Sequence, residues 1–147
     1  MSSSGKMRVL CVDDNKLLAD ALRAKAQRID DLEWLGAFHE ADDLLNRIFR
    51  IAPHVVLMDV DMPGVDTFRI VEELAAKEPK IRAVMLSGYV TQQYIDRALD
   101  AGAWGYLSKN DDVSELIAGM RKVHAGDIAF SRDVEIVSQR KRSTLAE

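Results

Sequence analysis

Cysteine, proline and long apolar runs are scarce in this sequence of 147 residues, which contains one cysteine and three prolines. The lone Cys11 cannot form an internal disulfide, which excludes a secreted fold held together by disulfide bonds. The longest wholly apolar runs, such as residues 9–12, are far shorter than the ~18 residues that span a bilayer. Residues 1–6 contain no apolar stretch, so no secretory signal is expected. We therefore predict a cytoplasmic protein without membrane contact.

An excess of positive charge is also missing. The chain has 20 Lys and Arg residues against 24 Asp and Glu residues, a net charge of −4. Nucleic-acid-binding domains usually carry a basic patch, and the short basic run at residues 140–142 is more typical of a solvated tail. We expect no direct nucleic-acid binding by this chain. The 48% hydrophobic and 30% charged composition is that of an ordinary globular domain.

Five short runs rich in β-branched and aliphatic residues predict strands at residues 8–12, 33–38, 54–58, 81–86 and 104–107. Apolar residues at helical spacing follow each run, as at Val113, Leu116, Ile117 and Met120. The first, third and fourth runs are almost wholly apolar, which is typical of strands covered on both faces. This alternation predicts an α/β fold, a doubly wound parallel sheet of five βα units.

The helical and strand periodicity ends near Gly126. We therefore predict a domain over residues 1–127 and a C-terminal tail or linker over residues 128–147, which begins a linker or forms a frayed helix.

Polar side chains follow four of the predicted strands. Asp13 and Asp14 follow the first strand, Asp59 the third and Ser87 the fourth, and Lys109 follows the fifth. Ligands of open α/β sheets bind outside the carboxyl ends of the strands, where the strand order reverses. If the order is 2-1-3-4-5, the first and third strands are neighbours there. The three carboxylates then converge on one pocket beside Ser87 and Lys109.

Such a cluster of acids is tolerable only if some of them are protonated or a cation lies among them. Two carboxylates ~4 Å apart repel by ~4 kcal/mol at an effective dielectric constant of ~20, and Lys109 supplies only one positive charge against three negative charges. A divalent ion restores neutrality, and Mg²⁺ suits the site because it binds one or two carboxylates and phosphate oxygens. A carboxylate nucleophile, a metal, a lysine and a hydroxyl, with no general-base histidine, indicate phosphoryl transfer.

Each of these residues also has an ordinary structural interpretation. Asp13 or Asp14 could cap the first helix, and Asp59 could form a turn at the end of its strand. Lys109 could be solvated, and Tyr106 could be a core residue with an exposed hydroxyl. Their joint occurrence at strand ends favours the functional interpretation.

Four segments make the sequence similar to the receiver domains of response regulators in two-component signalling. They are VLCVDDN at residues 9–15, VLMDVDMPG at 56–64, MLSG at 85–88 and GAWGYLSK at 102–109. The similarity extends from about residue 7 to residue 125, and residues 103–131 most resemble receivers that precede a helix-turn-helix DNA-binding domain. The resemblance implies a flavodoxin-like sheet of order 2-1-3-4-5 and a receiver domain at residues 1–127, with no output domain in this chain.

The resemblance also implies a role for each acidic residue. Asp59 would accept a phosphoryl group from the phosphohistidine of a sensor histidine kinase or phosphotransfer protein. Mg²⁺ would be bound directly by Asp14 and Asp59, through water by Asp13, and by the backbone carbonyl of Asp61. Asp61 also occupies a position that modulates the attacking water in this family.

Further residues would convert the phosphoryl group into a signal. Ser87 would hydrogen-bond one phosphoryl oxygen and Lys109 would pair with another. Tyr106 would turn inward as Ser87 moves, which changes the face formed by the fourth helix, fifth strand and fifth helix. Gly88 would leave room for the phosphoryl group, and we predict that the bulky Tyr89 slows its loss.

These implications describe a signalling switch that acts on a downstream output domain or protein and could form a homodimer, not an enzyme with an external substrate. Two alternatives stay open. Asp59 and Asp61 also resemble the D-x-D motif of haloacid-dehalogenase-like phosphatases, in which the first Asp forms a phospho-enzyme and the second is an acid/base. The chain could also be a receiver that binds a partner protein without being phosphorylated.

Overall fold

The structure, a computed structural model, describes residues 5–146, and the side chains of residues 5–139 among them. Strands and helices alternate along this part of the chain. The strands are β1 (Met7–Val12), β2 (Leu32–Phe38), β3 (Val55–Asp59), β4 (Arg82–Ser87), β5 (Gly105–Ser108) and β6 (Ala129–Phe130). The helices are α1 (Lys16–Ala26), α2 (Leu44–Ile51), α3 (Thr67–Lys77), α4 (Gln92–Ala101), α5 (Val113–His124) and α6 (Arg132–Ala146).

The strands form one parallel sheet of order β2-β1-β3-β4-β5-β6. The predicted flavodoxin-like order 2-1-3-4-5 is confirmed for the first five strands, but the prediction of five strands was incomplete. β6 pairs with the outer edge of β5, where Ala129 lies opposite Gly105 and Phe130 opposite Tyr106. A strand of two residues is too short to show an alternating pattern, which is why the sequence did not predict it.

The segment predicted as a tail or linker, residues 128–147, therefore contains a strand and a helix within residues 129–146. Val134 of α6 is fully buried, and Phe130 and Val137 pack against the same apolar cluster. The side chains of the basic run at residues 140–142, and Glu147, lie outside the described residues. Among residues 5–146, none of the helices is both long enough and apolar enough to cross a membrane.

Helices cover both faces of the sheet, as the apolar strands predicted. Alternate residues of β1 enter opposite clusters, because successive side chains of a strand point to opposite faces. Val9 and Cys11 share a cluster with residues of α1 and α5, including Leu116. Leu10 shares the other cluster with residues of α2, α3, α4 and α6, including Val134. The central strands are consequently buried on both faces. Arg8 and Arg82 lie at the amino ends of β1 and β4, and the acidic residues lie at the carboxyl ends.

The first helix is capped by Asn15, not by either of the aspartates before it. The Asn15 side chain accepts hydrogen bonds from the amides of Leu17 and Leu18, at 3.1 and 3.3 Å. The capping interpretation of Asp13 and Asp14 is therefore wrong. The backbone amides in the first turn of α1, which have no partner within the helix, already donate to Asn15. Both carboxylates are left for another use.

Candidate functional site

The acidic residues lie together where β1 and β3 end. Val12 of β1 is paired with Met58 of β3. The residues that come next, Asp13 after β1 and Asp59 at the end of β3, therefore reach the same edge of the sheet. One carboxylate oxygen each from Asp13, Asp14 and Asp59 lies within 4.8 Å of the other two. The convergence predicted from the sequence is thus present, and it brings together residues 46 positions apart in the chain.

The three acids differ in their exposure to solvent. Asp13 and Asp59 are 0% and 2% exposed, whereas Asp14 is exposed. Carboxylates are almost never fully buried unless they are paired. Two buried carboxylates and one at the rim therefore form a pocket that is open to solvent on the Asp14 side.

Lys109 reaches into this pocket from the end of β5. Its Nζ lies 3.0 Å from Asp13 Oδ2 and 3.3 Å from Asp59 Oδ2, and its side chain is 23% exposed. The backbone amide of Lys109 also donates to the carbonyl of Ser87 over 2.8 Å, which ties the residue to the end of β4. The solvated-lysine interpretation is therefore wrong, and one ammonium group bridges both buried carboxylates.

The remaining carboxylate oxygens are fixed by backbone amides. Asp13 Oδ1 accepts from the amide of Asn15 at 2.8 Å, and Asp59 Oδ1 accepts from the amide of Asp61 at 3.0 Å. Asp59 thus makes the predicted turn-forming contact and also faces the pocket. These bonds hold each carboxylate in one orientation, and Lys109 Nζ also donates to Asp13 Oδ1 at 3.3 Å.

The donor set fits a magnesium ion. Asp13 Oδ2 is buried and has no hydrogen-bond partner, although it lies against the Lys109 ammonium group. Three carboxylates and one ammonium group leave a net charge of −2, and oxygen atoms are the ligands that Mg²⁺ takes in proteins. Asp13, Asp14 and Asp59 are the residues that could hold the ion, with the backbone carbonyl of Asp61 beside them in sequence.

The ionisation of the pocket follows from its burial and its charges. Burial raises the pKa of Asp59 from 3.8 to about 6, and the charge of Asp13 acts in the same direction. The amide of Asp61 and the charge of Lys109 oppose this rise. Burial alone would lower the pKa of Lys109, but its bonds to Asp13 and Asp59 and their charges outweigh burial and raise it. Lys109 therefore stays charged at neutral pH, and Asp59 is mainly ionised.

The hydroxyl groups beside the pocket converge on Tyr89. Ser87 is fully buried, and its Oγ donates to the carbonyl of Tyr89 at 2.7 Å and accepts from the amide of Tyr89 at 2.9 Å. The hydroxyl of Tyr106 donates to the same carbonyl at 3.0 Å. The resemblance implies that Tyr106 turns inward as Ser87 moves. Here the Tyr106 side chain is already buried, with 1% of its surface exposed.

The three remaining predicted residues, Gly88, Tyr89 and Asp61, are exposed to solvent. Gly88 is exposed, and a Cβ atom added to it would meet nothing within 4 Å. The side chain of Tyr89 is 70% exposed. Asp61, two residues after Asp59, is likewise exposed.

Sequence reasoning missed two contacts of this site. The His39 ring nitrogen Nδ1 lies 2.8 Å from the backbone carbonyl of Asp13. His39 directly follows β2, so its position at a strand end was the available signal. Ser131, which precedes α6, accepts a hydrogen bond from the amide of Ser108 at 2.8 Å. No local pattern marks Ser131, because this contact depends on how β6 packs against β5.

Comparison with known proteins identifies the family. The sequence pattern of the response regulator receiver domain matches residues 9–121, which contain the whole acidic pocket and Lys109. The chain belongs to this family. As a receiver domain it is a member of two-component systems, whose response regulators act as signalling switches.

Curated relatives of this receiver domain are longer proteins. The transcriptional regulatory protein MctR of Rhizobium johnstonii is 33% identical over 134 residues, which are 91% of this chain and 63% of MctR. The response regulator GacA of Pseudomonas protegens is 33% identical over 128 residues, which are 87% of this chain and 60% of GacA. The chain thus spans about three fifths of the length of these two relatives.

Solved structures support the fold of this receiver domain. A two-component response regulator of the LuxR family from Aurantimonas sp. aligns with a TM-score of 0.84 at 21% identity, covering 92% of this chain and 98% of that one. The isolated receiver domain of RcsB from Salmonella enterica, in the presence of the phosphomimetic BeF3-, aligns with a TM-score of 0.80 at 19% identity, covering 90% and 98%.

Proposed function

We propose that this receiver domain is a phospho-accepting switch in which Asp59 takes a phosphoryl group from the phosphohistidine of a sensor histidine kinase or phosphotransfer protein. The observation that carries the proposal is the position of Asp59. Its buried carboxylate lies 3.3 Å from the Lys109 ammonium group and within 4.8 Å of carboxylate oxygens of Asp13 and Asp14. The Lys109 ammonium group, and a divalent ion held by the three acids, would offset the additional negative charge of the acyl phosphate product.

The transfer is a displacement at phosphorus. A carboxylate oxygen of Asp59 forms a bond to phosphorus while the bond between phosphorus and the donor nitrogen breaks, and the departing imidazole keeps that electron pair. Mg²⁺ held by Asp13, Asp14, Asp59 and the carbonyl of Asp61 would supply positive charge against the phosphoryl oxygens. Lys109 stabilises a further oxygen, because its ammonium group already lies between Asp13 and Asp59. Positioning and charge are the main requirements of phosphoryl transfer.

The signal arises from the hydroxyl groups beside the pocket. Ser87 exchanges its hydrogen bond to the Tyr89 carbonyl for a hydrogen bond to a phosphoryl oxygen. The Tyr89 carbonyl, which also accepts from the Tyr106 hydroxyl, then changes position, and the hydrogen bond of Tyr106 changes with it. Moving a two-state balance from 1:99 to 99:1 requires ~5.5 kcal/mol of differential stabilisation. Charge-assisted bonds of Ser87 and Lys109 to the phosphoryl group supply part of it. The change is read at the face of α4, β5 and α5 by an output domain, another protein or a second copy of this chain.

The receiver acts in the cytoplasm as a switch and not as a multiple-turnover enzyme, and its own loss of phosphate is slow. The exposed Tyr89 and the open space at Gly88 border the route by which phosphate and water reach Asp59. The chain itself makes no direct contact with nucleic acid. Membership of the receiver family leaves the haloacid-dehalogenase alternative without support. Asp59 ends the third strand of this sheet and Asp61 follows it, whereas the motif of those phosphatases follows the first strand.

The test is incubation with acetyl phosphate and Mg²⁺, followed by intact mass measurement. The wild-type chain is expected to gain one phosphate, and Asp59→Asn none, whereas the exposed control Asp20→Asn gains phosphate like the wild type. A chain that gains no phosphate would be a receiver that works without phosphorylation. Steady turnover of p-nitrophenyl phosphate would instead favour the phosphatase alternative. Either result contradicts the proposal.

A further inference from the structure

The loop that carries Lys109 is bonded to the chain segment before α6. Ser131 Oγ accepts from the amide of Ser108 at 2.8 Å, and the Ser131 hydroxyl donates to a carboxylate oxygen of Asp111. Ser108 Oγ donates to Asp133 Oδ2 at 3.3 Å and accepts from the amide of Asn110 at 3.1 Å. Ser108 and Asn110 are the two chain neighbours of Lys109, so the backbone on both sides of the lysine is held by this network.

Burial makes the network rigid. Ser108 is 0% exposed and Ser131 is 5% exposed, so neither hydroxyl can exchange its partner for bulk water without opening the contact. A buried donor or acceptor that loses its partner costs more than the bond itself contributes. The loop can therefore move only if Ser131 moves with it or if several bonds break together.

The same segment is bonded to the strand before the loop. The amide of Ala129 donates to the carbonyl of Trp104, and the amide of Ser131 donates to the carbonyl of Tyr106, each at 3.1 Å. α6 packs against α4, β5 and β6, and its Val134 is fully buried in the cluster that contains Tyr106 and Ile95 of α4. The packing of α6 is thus linked through hydrogen bonds to the backbone of β5 and to the loop that carries Lys109.

This device lies outside the segment that identifies the family. The receiver pattern ends at residue 121, whereas Ser131, Asp133 and Val134 follow it. It also alters the face that the resemblance implies as the output surface, because β6 occupies the outer edge of β5 and α6 lies against α4. The described chain itself covers part of that face.

We propose that docking of the segment 129–137 positions Lys109 in the acidic pocket, through Ser131 and Ser108, so that seating of α6 and phosphoryl acceptance at Asp59 are energetically coupled. The proposal deepens the proposed function and rests on it for the phosphorylation readout. Ser131 acts as a positioning residue, since it touches neither Asp59 nor the phosphoryl group. Coupling of this kind is reciprocal, so a partner that lifts α6 from the domain weakens phosphoryl acceptance, and a phosphorylated pocket alters the seating of α6.

The test uses two readouts that move in opposite directions. Ser131→Ala is expected to slow phosphorylation by acetyl phosphate by roughly three- to tenfold, since small misplacements of a catalytic group reduce rates. It should also tighten Mg²⁺ binding by about twofold, measured by amide NMR titration, because a cation held less firmly near the metal site repels the ion less. Ser131→Thr, which keeps the hydroxyl, restores both values, and the exposed control Ser114→Ala changes neither.

Combination with Lys109→Ala separates positioning from general loosening. In the Lys109→Ala background, Ser131→Ala is expected to slow phosphorylation no further, because the group that it positions is gone. An equal slowing in both backgrounds, weaker Mg²⁺ binding, or no change in either readout would overturn the inference. Asp133→Asn, which removes the charge that Ser108 contacts, serves as the second variant should Ser131→Ala not fold, and the same outcomes apply to it.

A third variant tests the role of α6 itself. Val134→Ala leaves every side chain of the hydrogen-bond network intact but removes a buried contact of the helix. It should reproduce the slower phosphorylation and tighter Mg²⁺ binding, whereas Ile136→Ala at an exposed position of α6 should not; identical behaviour of the two would contradict coupling to α6. If the wild type gains no phosphate, the proposed function fails, while the Mg²⁺ titrations still decide whether Ser131 positions Lys109.

Discussion

Ser87 and Tyr106 donate hydrogen bonds to the same acceptor, the backbone carbonyl oxygen of Tyr89, at 2.7 and 3.0 Å. Ser87 is the last residue of β4 and is fully buried, and Tyr106 lies in the neighbouring β5. Because one carbonyl serves both hydroxyls, a change in the bonding of Ser87 alters the acceptor that Tyr106 uses. The proposed switch therefore needs no contact between Tyr106 and the phosphoryl group.

Tyr106→Phe tests this shared acceptor. The variant keeps the buried ring but removes one hydrogen bond, so the free energy of unfolding should fall by about 0.5–1.5 kcal/mol. The rate of phosphate gain from acetyl phosphate should stay within about twofold of the wild-type rate, since Ser87 and Lys109 are untouched. Urea unfolding and intact mass spectrometry measure the two quantities. A variant that no longer gains phosphate would show that Tyr106 acts on the transfer itself.

Asp59→Asn should stabilise the metal-free protein above pH 6. In the folded protein the pKa of Asp59 is about 6, whereas the pKa of an exposed aspartate, as in the unfolded chain, is 3.8. Between these values the folded state binds more protons, so rising pH lowers the stability contributed by Asp59. The neutral amide removes this loss, and the variant should gain about 1–3 kcal/mol over the wild type at pH 7.

The measurement is urea unfolding of both proteins from pH 3.5 to 8 without divalent ions. The stability difference should grow from about pH 4 to pH 6 and then remain level. The exposed control Asp30→Asn should show no such growth. A difference that is the same at pH 4 and pH 7 would contradict the assignment of the raised pKa to burial of Asp59.

Binding of Mg²⁺ should offset the stability that the protein loses when the buried carboxylate of Asp59 is ionised. A ligand that binds only the folded state at 100 times its Kd adds about 2.7 kcal/mol to the free energy of unfolding. We expect Mg²⁺ to raise the thermal midpoint of the wild type, and Asp13→Asn to lose most of the increase, because Asp13 supplies the buried oxygen without a hydrogen-bond partner. Thermal unfolding with and without EDTA measures the effect. An undiminished increase in Asp13→Asn would place the ion elsewhere.

Tyr89→Ala should shorten the lifetime of the phosphorylated protein. The side chain is 70% exposed, and only backbone atoms of Tyr89 bond to Ser87 and Tyr106, so truncation leaves those contacts in place. We expect loss of phosphate to accelerate because less bulk shields the phosphoryl group from water. The matched variant Tyr89→Phe should keep the wild-type lifetime, measured by mass spectrometry after removal of acetyl phosphate. Equal lifetimes for all three proteins would refute the shielding role.

Much of the fold and the acidic pocket could be predicted because both depend on local patterns. Apolar strands that are each followed by a helix indicated a doubly wound sheet. Residues such as Asp59 and Lys109 were recognised as candidates because they come just after the end of a predicted strand. Parallel strands bring such residues to one edge whatever their separation in the chain. The resemblance of four segments to receiver domains then supplied the expected roles.

The features that escaped prediction depend on tertiary packing. β6 is two residues long, and its pairing with β5 exists only because α5 returns the chain to that edge. Asn15 was overlooked as the helix cap because two equally suitable aspartates precede it, and only burial of Asp13 shows which residue turns away from the helix. Ser131 contacts Ser108, which is 23 positions earlier in the sequence, and no local sequence pattern predicts this contact.

Chemical trapping of the modified residue tests the central claim most directly. The protein is treated with acetyl phosphate and Mg²⁺, reduced with borohydride, which converts an aspartyl phosphate to homoserine, and mapped by peptide mass spectrometry. The proposed function predicts homoserine at position 59 and none at positions 13, 14 and 61. Homoserine at position 13 or 14, or at no position in a chain that gained phosphate, would contradict Asp59 as the acceptor.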